Sequence, residues 1–332
     1  MSAPARKPRL RRLMLIAAVP VVPVLALAAV FAARGGTSRT PFVEYRLPQP
    51  NDIPTAVAPA PDGSVWFTLD FADALGRIRN GRLERVPIAG KALEPIGLGV
   101  APDGSVWYTD PALRAISHLT PSGDVKHFPL DTPSVRLARL AVAPDGAEWF
   151  AEETGYSITR LKDGVLTRHV FDSPRGGPYG VAVAPDGIVW ATLQSGDQLL
   201  RIAADGAMQA IDVPRPAAVP SDITVAPDGA VWFLEFRADA IARYKDEVFT
   251  EFPIGAKSAG ISGIAVAPDG SVWFGMLRKG LIGRLRAGKV DTFDLPHPHA
   301  RPYTLAFDPS GNLWYADISG YVGMLPAAAV SK

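Results

Sequence analysis

The sequence predicts an all-β protein: a seven-bladed β-propeller with four antiparallel strands per blade, in which an N-terminal strand closes the last blade. A signal or anchor helix is predicted before the propeller. Three observations predict this fold: a motif that recurs seven times, a strand-turn-strand pattern in each recurrence, and an unmatched strand at the N-terminal end. With 48% hydrophobic residues, 31 glycines and 32 prolines, the chain has the composition of a globular, turn-rich protein.

The N-terminus differs in composition from the rest of the chain. Residues 1–12 are a basic flank with five lysines and arginines, and residues 13–33 are an uncharged apolar run of 21 residues. A helix of that length spans a bilayer at about 1.5 Å per residue. The basic flank predicts a cytoplasmic end and an exported body, periplasmic or extracellular. The alanines at 26, 28 and 32 suit cleavage, whereas the length suits an anchor in the cytoplasmic membrane through residues 13–33, and both alternatives stay open.

The charge of the body excludes one class of function. Without the basic flank the chain carries 29 basic residues against 33 acidic ones. A mildly acidic body lacks the electrostatic footprint of a nucleic-acid binder. The chain has no cysteine, so disulfides and a thiol nucleophile are excluded as well. After a linker at residues 34–41, we expect residues 42–326 to form a monomeric propeller, followed by a tail at residues 327–332.

Seven tryptophans mark the repeat. Consecutive ones lie 41 or 42 residues apart, and they are all the tryptophans in the chain: Trp66, Trp107, Trp149, Trp190, Trp232, Trp273 and Trp314. Six follow an Ala-Pro-Asp-Gly phrase and the seventh follows Asp-Pro-Ser-Gly. Pro presets one φ and Gly tolerates positive φ, so the phrase predicts a hairpin turn. A period of about 40–45 residues with four short strands is typical of propeller blades, and we expect the tryptophans to pack between blades.

The strands of one unit are predicted at residues 180–184, 189–192, 199–202 and 208–213. The fourth strand usually ends in a hydrophobic-Pro pair, which suits an outer edge strand. Residues 42–48 form an orphan fourth strand, and the last unit lacks one. We therefore expect residues 42–48 to pair with the third strand of blade seven, near residues 322–325.

Strand alternation brings two sequence positions to the mouth of the axial pocket on one face. Three residues after the tryptophan, four blades carry carboxylates: Asp110, Glu152, Glu235 and Asp317. Thirteen residues before the tryptophan, three blades carry charged residues: Glu94, Arg136 and Arg301. We expect these side chains to line a ligand pocket. Clustered carboxylates need a cation or an arginine, and oxygen ligands suit Mg²⁺ or Ca²⁺, so Glu94 with Asp110 is the predicted metal pair. The alternative is that the acids pair with Arg136 or Arg301 or are simply solvated.

Tyr179, Tyr303 and His299 are the candidate catalytic residues. Tyr179 and Tyr303 lie eleven residues before their tryptophans, at the same mouth, and His297 and His299 lie in the loop that enters blade seven. No phosphate loop, nucleophile elbow or metalloprotease motif is present in the sequence. Arginines recur eleven residues after five of the tryptophans, and for these we expect salt bridges between blades.

The unit GPYGVAVAPDGIVWATLQSGDQLLRI and its neighbours, such as LIGRLRAGKVDTFDLP, resemble the streptogramin B lyase (virginiamycin B lyase) family over residues 42–326. The resemblance implies a seven-bladed propeller that opens a cyclic depsipeptide by Mg²⁺-assisted elimination at its ester. The resemblance implies a site made of three parts: a Glu-Pro-His phrase that enters one blade, a Glu after that blade's tryptophan, and a Pro-His phrase from an adjacent blade.

This chain departs from that pattern at both histidines. Glu94, Pro95 and Ile96, followed by Asp110, keep the two acidic positions but carry isoleucine at the base, and the second phrase reads Arg301, Pro302, Tyr303. The two partial matches also lie in blades two and seven, which are not neighbours. Elimination needs a base near the working pH, and no imidazole occupies the matching positions.

Two functions follow as hypotheses. The first is an acid- and tyrosine-lined axial pocket that binds a small molecule, a peptide or a protein partner. The second is a metal-dependent carbon-oxygen lyase, in which Glu94 and Asp110 hold the ion and Tyr303, Tyr179 or a loop histidine takes the proton.

Overall fold

The computed structural model describes residues 42–70, 72–88, 95–132, 135–172 and 176–332. The basic flank, the apolar run and the linker lie outside these residues, and so does the predicted signal or anchor helix. Within the described ranges, no helix has both the length and the hydropathy required to cross a bilayer.

The described chain forms seven four-stranded antiparallel sheets. The first strands of blades one to seven are β2 (Val57–Pro59), β6 (Leu98–Val100), β10 (Leu137–Val142), β14 (Pro178–Val183), β18 (Pro220–Val225), β22 (Ile261–Val266) and β26 (Pro302–Phe307). The second strands are β3 (Val65–Phe67), β7 (Val106–Asp110), β11 (Glu148–Glu152), β15 (Val189–Leu193), β19 (Val231–Glu235), β23 (Val272–Met276) and β27 (Leu313–Asp317). Each pair meets at the predicted hairpin turn.

The outer half of each blade completes the sheet. The third strands are β4 (Ala74–Arg79), β8 (Ala115–Leu119), β12 (Ser157–Lys162), β16 (Gln198–Ile202), β20 (Ala240–Lys245), β24 (Leu281–Arg286) and β28 (Tyr321–Leu325). The outer strands are β5 (Arg82–Pro87), β9 (Val125–Pro129), β13 (Val165–Val170), β17 (Met208–Asp212), β21 (Val248–Pro253), β25 (Lys289–Asp294) and β1 (Val43–Arg46). A 3-10 helix, Gln194–Gly196, joins two strands of blade four.

The first strands surround the axis. Each contacts the first strand of the blade on either side, and the contact between β2 and β26 closes the ring. The strands approach so closely that a Cβ on Gly180 would lie 2.5 Å from the carbonyl oxygen of Ser221 in the next blade. Glycine is therefore required at that point of contact.

The tryptophans pack between blades, as predicted. Seven apolar clusters each combine residues of two adjacent blades, and each contains one tryptophan. Six of the tryptophans are buried and Trp232 is half-buried. Burial of aromatic surface between the sheets therefore holds the ring together, as expected for a domain without disulfides.

The N-terminal strand closes the ring, as predicted. Strand β1 pairs antiparallel with β28, so that Val43 lies opposite Met324 and Tyr45 opposite Val322. Blade seven thus has its outer strand from one end of the chain and three strands from the other. This pairing removes two open sheet edges.

The C-terminal tail is ordered against blades six and seven. Residues Ala327–Val330 form helix α1, and the buried Val330 joins the cluster that contains Trp273. The guanidinium of Arg284 donates to the Val330 carbonyl at 3.2 Å. Trp273, beneath this tail, is fully buried.

The recurring arginines correct one expectation. Arg77 pairs with Glu84, Arg160 with Asp145 and Arg284 with Asp291, in each case within one blade. Arg77 also lies over the ring of Trp66, with its Cζ 5.0 Å from the ring centroid. The predicted salt bridges between blades are therefore wrong for these arginines, because each side chain lies along its own sheet over its own tryptophan.

Candidate functional site

The first strands are irregular where they face the axis. Five of the seven show a register shift about ten residues before the tryptophan, in β10, β14, β18, β22 and β26. A β-bulge re-aims a side chain and frees backbone groups from the ladder. In blade four Thr192 satisfies these groups, since its Oγ1 accepts from Gly180 N at 2.9 Å and donates to the Ser221 carbonyl at 2.6 Å.

A cavity of about 160 Å³ lies on the axis, lined by residues of all seven first strands. Its charged residues are Arg139 from blade three and Asp222 from blade five. Arg139 donates from Nε to Asp222 Oδ1 at 2.7 Å and from Nη2 to Oδ2 at 3.1 Å. This bidentate geometry is the strong form of a charge-assisted hydrogen bond.

The ion pair connects several blades. Arg139 also donates from Nη1 to the Ile96 carbonyl at 3.1 Å, and Asp222 accepts from Gly263 N at 3.0 Å. Burial alone would lower the pKa of Arg139, but the Asp222 carboxylate and the two neighbouring tyrosines more than offset this, so the pKa is raised. The guanidinium is therefore charged at any working pH, and the pair braces blades two, three, five and six across the axis.

Tyr179 and Tyr303 lie beside this pair. Their ring centroids are 5.5 Å and 5.2 Å from Arg139 Cζ, and their hydroxyl oxygens are 3.3 Å apart. Burial raises the pKa of Tyr179 far above its ordinary value. Its hydroxyl therefore keeps its proton at neutral pH and can donate a hydrogen bond, and a catalytic role for Tyr179 stays a prediction.

The second strands of blades two, three, five and seven all end in carboxylates, and three of the four find partners within their own blades. None of the four is among the residues that line the axial cavity, so their place in a ligand pocket stays a prediction. Asp110 accepts from Leu113 N at 2.9 Å. Glu152 accepts from Thr132 Oγ1 at 2.9 Å and also from Thr159 Oγ1.

In blade seven, Asp317 accepts from Arg301 N at 2.6 Å and from Ser319 N at 2.8 Å. These three carboxylates thus each accept hydrogen bonds from local donors, which for Glu152 include Arg168 Nε at 3.1 Å. In the described part of the chain, the hydroxyls of Tyr179 and Tyr303 bond to each other and not to these carboxylates.

Glu235 differs from its three counterparts. It is fully buried, and neither carboxylate oxygen has a hydrogen-bond partner in the described part of the chain. The nearest cation is Arg215, whose Nε lies 3.4 Å from Oε2. Burial, reinforced by Glu251, raises the pKa of Glu235 to about 7.

The predicted metal pair is only half described. Glu94 lies outside the described residues, so its distance from Asp110 is not part of the site geometry. Among the residues that are described, no group of three or more His, Asp or Glu side chains is arranged to hold a metal ion. The residues present in that part of the chain do not form a metal site by themselves, and Mg²⁺ or Ca²⁺ binding stays a prediction.

The two predicted arginines lie at the surface. Arg136 is exposed and pairs with Glu153 at 3.2 Å, and the side chain of Arg301 is exposed as well. The carboxylates at the ends of the second strands are therefore not neutralised by Arg136, and Arg301 contacts Asp317 through its backbone amide.

The two loop histidines have different environments. His299 is exposed, with φ of 60°. His297 lies between Glu44 Oε1, 2.8 Å from its Nδ1, and Asp317 Oδ2, 3.5 Å from its Nε2. Burial alone would lower its pKa, but hydrogen bonds with Asp317 and Glu44 raise it to about 9. His297 therefore links the closing strand β1 to blade seven, and we name Glu44, His297 and Asp317 the clasp.

Sequence reasoning missed Arg139, Asp222 and the clasp. A signal for the first two exists: ten residues before the tryptophan the blades carry Ala, Gly or Thr, except for Arg139 in blade three and Asp222 in blade five. A charged residue at an otherwise small position that faces the axis indicates a specific partner across it.

The comparisons place this geometry among known proteins. The model of the virginiamycin B lyase family matches residues 35–137 and 81–329. Virginiamycin B lyase from Staphylococcus aureus is similar in structure, with a TM-score of 0.81 and 25% identity over 85% of this chain and 98% of that one.

A catalytically inactive variant of the same enzyme, in which one histidine is replaced by alanine, was solved with quinupristin and gives the same score, identity and coverage. A streptogramin B lyase structure at 24% identity, with a TM-score of 0.81 over 85% of this chain and 96% of that one, shares the fold. No curated protein matches the chain.

Proposed function

Because the chain belongs to the virginiamycin B lyase family, we propose that it is an exported propeller that binds a peptide-like ligand, of the cyclic depsipeptide class, at the mouth of its axial pocket. It holds this ligand without opening its ester. The protein would thus keep the family's recognition of the ligand but not its elimination reaction.

The observation that carries the proposal is the absence of an imidazole from the axial positions of the sequence. The residues eleven before each tryptophan are Thr55, Ile96, Ala138, Tyr179, Ser221, Ser262 and Tyr303. Ile96 and Tyr303 occupy the positions where the resemblance implies histidines. The quinupristin structure offers a parallel, since that relative lacks one histidine, is catalytically inactive and was solved with the ligand.

The axial residues suit recognition of peptide groups. The phenol of Tyr179 stays protonated, and its hydroxyl lies 3.3 Å from that of Tyr303, longer than a good O–H···O hydrogen bond. Both hydroxyls can therefore reorient to donate to a ligand carbonyl. The ion pair beneath them is neutral overall, so the mouth favours a neutral acceptor over a free carboxylate.

Calorimetric titration of residues 40–332 with quinupristin tests this proposal. The double change Tyr179→Phe with Tyr303→Phe removes both hydroxyls but keeps the rings on Arg139, and should weaken binding roughly tenfold or more. Tyr244→Phe, at the interface of blades four and five, is the matched control and should bind as the wild type does. Equal affinity of the double variant and the control would contradict an axial tyrosine site.

Export is part of the same proposal. The basic flank and the apolar run support a periplasmic or extracellular body, either released by cleavage or held in the cytoplasmic membrane through residues 13–33. Fractionation of cells that express the full chain separates these cases, since a cleaved protein is soluble after osmotic shock and an anchored one sediments with membranes. Retention in the cytosol would contradict export.

A metal-dependent lyase is the second candidate, favoured by family membership and by the acidic residues at both implied ligand positions. Glu94 and Asp110 would hold Mg²⁺ or Ca²⁺, and a bound ion polarises a carbonyl as a Lewis acid. In that case Mg²⁺, Ca²⁺ or Mn²⁺ should raise the melting temperature, and Glu94→Gln with Asp110→Asn should abolish the rise. If none of the three ions raises it in the wild type, this candidate is excluded.

A further inference from the structure

Blade five contains a buried carboxylate that the fold does not satisfy. Asp110, Glu152 and Asp317 occupy the equivalent position in three other blades, and each of them accepts at least one hydrogen bond from a local donor. Glu235 alone has two oxygens without a hydrogen bond, although no part of the residue is exposed. A buried carboxylate without hydrogen bonds is costly even beside the ion-pairing Arg215, so its oxygens favour a further donor.

A single substitution in the repeat explains the missing donor. Seven residues after the carboxylate, blade three has Thr159, which donates to Glu152, and blade two has Ser117, whose Oγ lies 3.4 Å from Asp110 Oδ2. The equivalent residue in blade five is Ala242. Thr159 lies opposite Phe150 and Ala242 lies opposite Phe233, so the two sites have matching surroundings.

The charges around Glu235 favour a cationic partner. Besides Arg215, the groups that act on it are Glu251 on the outer strand and Asp197 of blade four, both of which raise its pKa. Asp197 is held by Ala217 N and Val219 N, and Glu251 by Arg215. Glu235 and Glu251 therefore share one guanidinium, and the carboxylate of Asp197 adds a third negative charge that acts on Glu235.

Arg215 covers the site without filling it. Its Nε donates to Glu251 at 2.8 Å, whereas its contact with Glu235 is an ion pair at 3.4 Å without a hydrogen bond. The Arg215 side chain is 43% exposed, and its Nη2 also donates to Glu251, so it can leave Glu235 and still keep Glu251 and solvent as partners when another cation enters.

We propose that Glu235 is the floor of a second binding site, on the rim of blade five beneath Arg215, which takes a protonated primary amine of a ligand. An ammonium group carries the charge that the three carboxylates favour and supplies the N–H donors that both Glu235 oxygens lack. Ala242 supplies no hydroxyl that would compete with the ligand for Glu235. This site is separate from the axial tyrosines.

Methylammonium chloride is the probe, and tetramethylammonium chloride at equal ionic strength is its control, because it has the same charge but no N–H donor. Backbone amide resonances of Val219 and Phe236, followed by NMR in ¹⁵N-labelled protein of residues 40–332, report on the site. We expect saturable shifts with methylammonium and none with tetramethylammonium. Equal shifts with both ions, or none with methylammonium, would overturn the proposal.

Three variants distinguish a loss of methylammonium binding at Glu235 from a general change in the fold. Glu235→Gln removes the charge and Ala242→Thr supplies the donor found in blade three, and each should weaken methylammonium binding roughly tenfold or more. Arg215→Gln removes the competing cation and should tighten binding. Wild-type affinity in Ala242→Thr, in a variant whose spectrum shows the fold intact, would rule the site out. Methylammonium reports on blade five alone, so its result is independent of quinupristin binding at the axis.

Discussion

Arg139 and Asp222 are the residues on which the axial region most depends. Their side chains are only 10% and 14% exposed, so removing one partner leaves an uncompensated buried charge. Arg139→Met or Asp222→Asn alone should lower the free energy of unfolding by about 3–5 kcal/mol. The combination Arg139→Met with Asp222→Leu should recover much of that loss. Urea denaturation measures the free energy of unfolding of all three variants. Single variants within about 1 kcal/mol of the wild type, which is about the error of the method, would contradict a buried ion pair.

Glu148 is a buried carboxylate at a position where the other six blades have valine or leucine. Burial raises its pKa from 4.5 to about 8. Between pH 4.5 and about pH 8, Glu148 is therefore protonated in the folded protein and ionised in the unfolded chain. As pH rises through that window, Glu148 lowers the free energy of unfolding by up to about 1.4 kcal/mol per pH unit.

Glu148→Val should therefore stabilise the protein, and its advantage over wild type should grow between pH 5 and pH 8, a window that follows from the raised pKa. Chemical denaturation at several pH values measures the difference. An advantage that is constant with pH would show that Glu148 does not titrate in this window.

For single residues, the sequence predicts where a side chain lies in the repeat better than it predicts which side chain it contacts. Tyr179 and Tyr303 were predicted to lie at one mouth, and their hydroxyls meet there. The pairing of Arg139 with Asp222 joins residues 83 positions apart in different blades, through bulges that the repeat pattern does not encode. The isolation of Glu235 depends on a missing hydroxyl in a neighbouring strand, which becomes visible only when the blades are compared in register.

At the scale of elements, the clasp connects strand β1 to blade seven. The pKa of His297 is raised from 6.5 to about 9, so its contribution to stability is fully present below pH 6.5 and is lost as pH rises through about 9. His297→Gln keeps an amide N–H donor for one of the two carboxylates but carries no charge. The stability difference between wild type and His297→Gln should shrink from pH 6 to pH 10, and a difference that does not change would contradict an imidazolium in the clasp.

The positions of the strands can be predicted closely from the sequence. The turn residues and the alternation of apolar and polar residues within each unit determine where a strand begins and ends. Residues 42–48 were predicted as the closing strand, and the structure has Val43–Arg46. The first strand of blade four was predicted at residues 180–184 and is observed at Pro178–Val183. That strand begins earlier because a bulge interrupts the ladder between Pro178 and Val181, and a bulge leaves no simple mark in an apolar run.

At the scale of the whole molecule, ring closure is the property that stabilises all seven blades. Deletion of residues 34–48 removes β1 and exposes the free edge of β28, along with the Glu44 side of the clasp. We expect a large loss of thermal stability and a tendency to aggregate. Deletion of residues 34–40 alone keeps β1 and is the control. Melting temperatures of the two variants within a few degrees of each other would contradict closure by this strand.

We propose that this member of the family binds a cyclic depsipeptide and returns it intact. An elimination breaks the ester C–O bond and adds no water, so its linear product has the mass of the ring, whereas hydrolysis adds one water. Chromatography with mass detection, after incubation of quinupristin with the body and Mg²⁺, separates the ring, its linear isomer and the hydrolysed product. We predict that the ring is recovered unchanged from protein that calorimetry shows to bind it; accumulation of the linear isomer, dependent on Mg²⁺ and on Asp110, would contradict binding without elimination.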